Sequence, residues 1–202
     1  MKTAVMIGDS HSQLVFPALK KLLDMDVLES VSKPGWGVKK FMNSYDLDSL
    51  PPADVYIVAL GGNNFDMNIM SYIGSVDAFL GKIASKAGRI VWISPFQADN
   101  QPVEDRHVKT FEFLDQGLPR DVKYVDVYTP SVDVPTKDSM EVHYSRSDYN
   151  YFAELIAPVI QKFADLPKFM LKFSIAKAFT FATFGFVGFT LSLLVGNARD
   201  GR

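Results

Sequence analysis

The chain has 202 residues, 48% hydrophobic and 22% charged, enough length and apolar content for one globular domain with a real core and too much for wholesale disorder. It has no cysteine, which excludes disulfides, thiol nucleophiles and cysteine-ligated metals. The net charge of −2 divides into −6 on the first 165 residues and +4 from Leu166 onward, and an acidic body without a long basic stretch argues against nucleic acid as a partner.

Apolar strand-like runs alternate with helical patterns along the first 165 residues. Residues 3–7 read as a buried parallel strand and 13–23 as an amphipathic helix, joined by Gly8-Asp9-Ser10-His11-Ser12. With Met1-Lys2 running straight into this unit, no secretory signal is expected. A second strand is expected at 27–31, followed by the loop Lys33-Pro34-Gly35-Trp36-Gly37 and a short helix over 38–45. Residues 54–60, which open on Asp54 and are apolar on both faces after it, form the clearest central strand and end in Gly61-Gly62-Asn63-Asn64. A helix over roughly 67–86, a strand at 89–94 stopped by Pro95, a helix over 103–116 and a strand at 122–127 follow. After a polar loop over 128–143, Ser145-Arg146-Ser147-Asp148 has the pattern of a capping box opening a helix that runs to about Asp165. Five strands alternating with helices imply a parallel sheet covered on both faces.

Chemistry in such a sheet gathers beyond the carboxyl ends of the strands. Ser10 sits on the first strand-to-helix turn, where Gly8 permits a sharp bend and a helix N-terminus lends positive potential. A nucleophile is one reading; a simple helix cap by Asp9, Ser10 or Ser12 is the other. Gly35 and Gly37 follow the second strand, where a backbone N–H can approach a ligand oxygen. Asn63 follows the third, where its amide can donate to a developing oxyanion. His143 precedes the last helix, late enough to fold back over the first turn. His11 and His107 are weaker candidates for a base: His11 is adjacent to the serine and carried by the helix, and His107 falls within a predicted surface helix.

Gly8-Asp9-Ser10, a loop glycine, Gly61-Gly62-Asn63-Asn64 and a late His143, in this order, resemble the SGNH (GDSL-type) hydrolase superfamily over about residues 3–164. The resemblance implies a three-layer α/β/α, flavodoxin-like fold and a serine ester hydrolase of the esterase or acetylesterase type. It implies Ser10 as nucleophile and His143 as general base. The oxyanion hole would comprise the Ser10 N–H, a loop glycine N–H (Gly35, with Gly37 the other candidate) and the Asn63 amide. Two positions depart from the family pattern. Asn64 stands where the third block usually ends in Asp, and Met140 stands where the acid is expected three residues before the histidine. Asp138 is expected to support His143 in its place, with Glu141 the alternative, and a non-catalytic descendant of the fold is the competing reading. No metal or organic cofactor is expected, since the sequence shows no carboxylate–histidine cluster and no Gly-x-x-x-x-Gly-Lys motif. The expected partner is an ester or acylated small molecule or carbohydrate.

Residues 166–202 are expected to form a separate tail. Ala178 to Val195 is 18 residues without a charge, its five phenylalanines spread around a helical wheel, which just reaches bilayer-spanning length. A hydrophobic C-terminal helix over about 168–196 would hold the protein at a membrane, with the α/β domain on the cytoplasmic side, or join it to further copies. The alternative is a structural component of a phage virion or of envelope contact, argued from architecture alone.

Overall fold

The computed structural model describes residues 1–63, 68–119 and 121–166. Met1–Asp165 form one compact unit. The tail expected from 168 to 196 and the departure at Asn64 lie outside the described residues. Among the described residues, no helix is long and apolar enough to cross a membrane.

Five strands, β1 (Lys2–Gly8), β2 (Met25–Ser32), β3 (Val55–Ala59), β4 (Ile90–Ile93) and β5 (Val122–Val125), form one sheet in the order β2-β1-β3-β4-β5, every neighbouring pair parallel. Every residue of β3 and β4 is buried, as their unbroken apolar sequences require of strands covered on both faces. The edges read differently: β2 and β5 mix buried and exposed positions, with Asp26, Glu29 and Lys123 among the exposed ones. The helices are α1 (Ser12–Leu22), α2 (Val38–Ser44), α3 (Ile69–Ile83), α4 (Gln101–Gly117), the single turn α5 (Tyr128–Ser131) and α6 (Arg146–Asp165). The pairs α1–α6 and α2–α3 pack together, and the latter shares a core with Val5, Ile7, Tyr56, Val58 and Trp92 of the sheet. The result is three layers. Buried polar atoms in this core find partners, as when Trp92 Nε1 donates to the Leu60 carbonyl at 2.9 Å.

Helix starts follow side-chain chemistry. Asn68 and Asn100 each accept from a backbone N–H three residues on, opening α3 and α4. Ser145 and Asp148 bond reciprocally, Asp148 Oδ2 accepting from the Ser145 N–H and Ser145 Oγ from the Asp148 N–H, which is the capping box expected before α6. The α5 turn breaks what reads in sequence as a continuous polar loop, because Ser131 Oγ closes it by donating to the Tyr128 carbonyl.

The strand order places the site. The chain leaves β1 towards β2 on one side, then returns across β1 to β3 on the other. Loops after β1 and β3 therefore diverge, and the crevice between them is where an open sheet of this order takes ligands. Ser10 follows β1 and Asn63 follows β3.

Candidate active site

Ser10, His143 and Asp138 form a hydrogen-bonded chain across this edge. His143 Nε2 lies 2.9 Å from Ser10 Oγ, and His143 Nδ1 lies 2.5 Å from Asp138 Oδ2. With the ring proton on Nδ1 and donated to Asp138, Nε2 is free to accept the serine hydroxyl. The Asp138 carboxylate is pulled in two directions: partial burial raises its pKa, but N–H donors from Val142 and His143 and the imidazole itself outweigh that and bring it to about 2. It is ionised throughout the physiological range and able to stabilise an imidazolium.

The two-residue displacement of this acid from its usual place has a visible cause. Asp138 to Glu141 is a tight turn, with the Glu141 N–H donating to the Asp138 carbonyl at 3.1 Å. Glu141 sits at φ 56°, a left-handed conformation uncommon for a residue with a side chain. That twist returns Val142 and His143 over Asp138, whose Oδ1 accepts from both of their N–H groups at 2.9 and 3.1 Å. Met140 points outward and is exposed. Glu141 serves through its carbonyl, which accepts from the N–H groups of Asp99 and Asn100. Asp99 in turn accepts from the Thr136 N–H and hydroxyl at 2.8 and 2.7 Å. The loop that carries His143 is thus laced to the loop after β4.

At the serine, no side chain caps α1: its N-cap is His11, without a side-chain cap bond. Ser12 Oγ instead donates to the Asp9 carbonyl, and Asp9 Oδ1 accepts from the His11 N–H. Gly8 does not supply a sharp bend, since its φ is not positive. Space is what requires it: a Cβ there would stand 2.3 Å from Ser12 Cβ. Gly35 does need its freedom, at φ 70°. The Trp36 N–H donates to the Lys33 carbonyl, so Pro34 and Gly35 are the central pair of a type II turn. Gly37 is buried at the start of α2, and no acceptor for its N–H is found among the described residues. Asn63 Nδ2 donates to Asp9 Oδ2 at 3.2 Å with one of its two hydrogens.

The other two histidines are both buried here. His11 stacks on Phe96, its ring centroid 4.9 Å away, and its Nδ1 meets the Tyr149 hydroxyl at 2.7 Å. Burial, reinforced by His107 and His143, pushes its pKa well below the ordinary range, so it stays neutral. His107 is not on a surface face of its helix. It is 1% exposed, with Nδ1 2.6 Å from the Phe96 carbonyl oxygen and Nε2 3.1 Å from that of Gly62. Burial lowers its pKa despite these two acceptors, and the neutral ring donates to one of the two. The sequence concealed this because α4 is polar overall. Its inward face is His107, Thr110 and Leu114, a helical spacing with only one apolar member. Asp9 is fully enclosed, and burial outweighs its hydrogen bonds from His11 and Asn63 to raise its pKa to about 6. No group of three or more metal-binding side chains occurs among the described residues.

No protein-family model and no curated protein matches the sequence. Solved structures do. A lipase/acylhydrolase from Enterococcus faecalis superposes with a TM-score of 0.62 at 20% identity, covering 80% of this chain and 96% of its own. A protein from Slackia heliotrinireducens described as an SGNH hydrolase gives 0.59 at 16%, covering 79% and 98%. A variant of an acetyl-xylooligosaccharide esterase from Geobacillus Stearmophilus gives 0.59 at 11%, covering 83% and 95%. The α/β part of this chain has the fold of the SGNH hydrolases.

Proposed function

We propose that this chain is a serine esterase that removes a short acyl group, of the acetyl class, from an acylated small molecule or carbohydrate. The observation that carries the reading is the continuous chain Ser10 Oγ–His143–Asp138, at 2.9 and 2.5 Å, beside the crevice of a fold shared with esterases. Ser10 Oγ attacks the carbonyl carbon while His143 Nε2 takes its proton, and Asp138 stabilises the imidazolium. The oxyanion is met by the Ser10 N–H, a glycine N–H of the 35–37 loop and the free hydrogen of the Asn63 amide. Collapse expels the alcohol, which leaves with the proton from His143. Water then attacks the acyl-enzyme with His143 again as base, releasing the acid and restoring Ser10. The uncharged run from Ala178 to Val195 supports a membrane as the place of action.

Hydrolysis of p-nitrophenyl acetate by the full chain tests this. Turnover that disappears in Ser10→Ala is the expected result. Equal rates from the parent and Ser10→Ala proteins, both folded, would overturn it. Recovery of the chain in the membrane fraction of the expressing cells tests the placement, and a fully soluble chain would contradict it.

A further inference from the structure

The groups that surround Asn63 play no part in the bond-making steps above, yet they are buried and polar, which is costly unless they hold something. Asp9 Oδ2 accepts from Asn63 Nδ2 at 3.2 Å while Oδ1 is fixed by the His11 N–H at 3.1 Å. On the other side of the same turn, His107 packs with Nε2 3.1 Å from the carbonyl oxygen of Gly62 and Nδ1 2.6 Å from that of Phe96, its single ring proton serving one contact at a time. The turn has no slack between them. A Cβ on Gly62 would stand 3.1 Å from His107 Nε2 and 3.4 Å from Asp9 Oδ2. Gly62 and Asn63 are therefore held between a carboxylate seated on the β1–α1 turn and an imidazole seated on α4.

The torsion that turns an asparagine amide is broad and soft when nothing constrains it. An oxyanion donor is effective only when it already points where charge will develop and need not reorganise. When Asp9 takes one amide hydrogen, the direction of the other is set. His107 fixes the backbone from which that amide projects. We propose that Asp9 and His107 are positioning residues that aim the Asn63 amide at the oxyanion, neither touching the substrate. The inference rests on the esterase reading and assigns the source of rigidity in its oxyanion hole.

The test is a set of double-mutant cycles on the full chain, with p-nitrophenyl acetate as substrate and circular dichroism to confirm folding. Asp9→Asn and His107→Leu are each made alone and together with Asn63→Ala. Each single change is expected to lower kcat by about 10–10²-fold with KM little moved, the size of effect a small misplacement produces. In the Asn63→Ala background the same changes should cost less than about twofold, because the group they aim is gone. His107→Gln, which keeps an N–H donor, should lose less than His107→Leu. If His107→Leu does not fold, Gly62→Ala crowds the same contact from the other side and is read in the same cycle. Equal losses with and without Asn63, a change confined to KM, or no change would overturn the inference while leaving an active esterase. A parent protein without turnover would overturn the esterase reading itself.

Discussion

The two halves of the site are built by different means. The Ser10–Asn63 half stands on the ends of the packed strands β1 and β3; Ser10 and Asn63 are themselves half-buried, and Asp9 beside them is enclosed. The Asp138–His143 half stands on an irregular loop whose side chains are about a quarter to a third exposed. That loop is shaped by bonds from backbone N–H groups to Asp138 and Asp99 and by the left-handed turn at Glu141. The first half costs stability to assemble, because it buries a carboxylate that would otherwise be hydrated. The second half costs little, because its carboxylate is paired and partly in water. On the proposed reading, the oxyanion corner is held by packed strands and a buried carboxylate, and the base by a loop tied down through backbone hydrogen bonds.

The largest expected break is at the nucleophile. Ser10→Ala should lower kcat on the order of 10⁵–10⁶-fold, the scale seen when a serine–histidine centre loses its serine. Asp138→Asn comes next, at about 10²–10⁴-fold, because the ring loses its tautomer control and its counter-charge, while Glu141→Gln should change kcat less than twofold. Equal effects of Asp138→Asn and Glu141→Gln would show that the loop geometry does not matter. Asn63→Ala should cost about 10²–10³-fold, the value of one oxyanion donor, with the fold retained.

Stability should separate the halves by sign. Asp9 titrates near 6 in the folded protein against 3.8 unfolded, so the folded state holds its proton more tightly. Its contribution to stability is therefore greatest below about pH 4 and falls as pH rises through 6, by about 3 kcal/mol for a shift of this size. Asp9→Asn should remove that slope and stabilise the protein at pH 7–8 by about 1–3 kcal/mol while lowering turnover. Asp138, near 2 when folded, works the other way: its contribution is present above about pH 4 and lost as pH falls through 2. Solvent screening keeps it below about 1 kcal/mol. Urea midpoints measured from pH 1.5 to pH 8 would read both. The smallest effect is expected at Glu141, where Gly relieves a positive φ and should leave the protein equally stable or up to about 1 kcal/mol more stable.

The same contrast explains what could be read from the sequence. Alternating apolar runs and helical patterns locate all five strands and the five longer helices, because each element is recorded in its own residues. Boundaries drift by one to three residues, as at α4, where Asn100 caps a helix that starts two residues before its apolar pattern. The positions of Ser10 and Asn63 follow from being next to strand ends. Asp138 is harder, since only the turn at Glu141 shows how an acid five residues from the histidine reaches its ring. Least visible is His107. Its partners are backbone carbonyls of Phe96 and Gly62, which leave no mark on residue type, and the buried face of its helix (His107, Thr110, Leu114) has only one apolar member.

The central claim is that Ser10 is a nucleophile activated by His143. Exposure of the folded full chain to a fluorophosphonate, followed by mass mapping of the adduct, reads that directly. One equivalent of label on Ser10, absent in Ser10→Ala and formed far more slowly in His143→Ala, is the predicted result. A folded chain that takes no label, or takes it on another residue, would contradict the account.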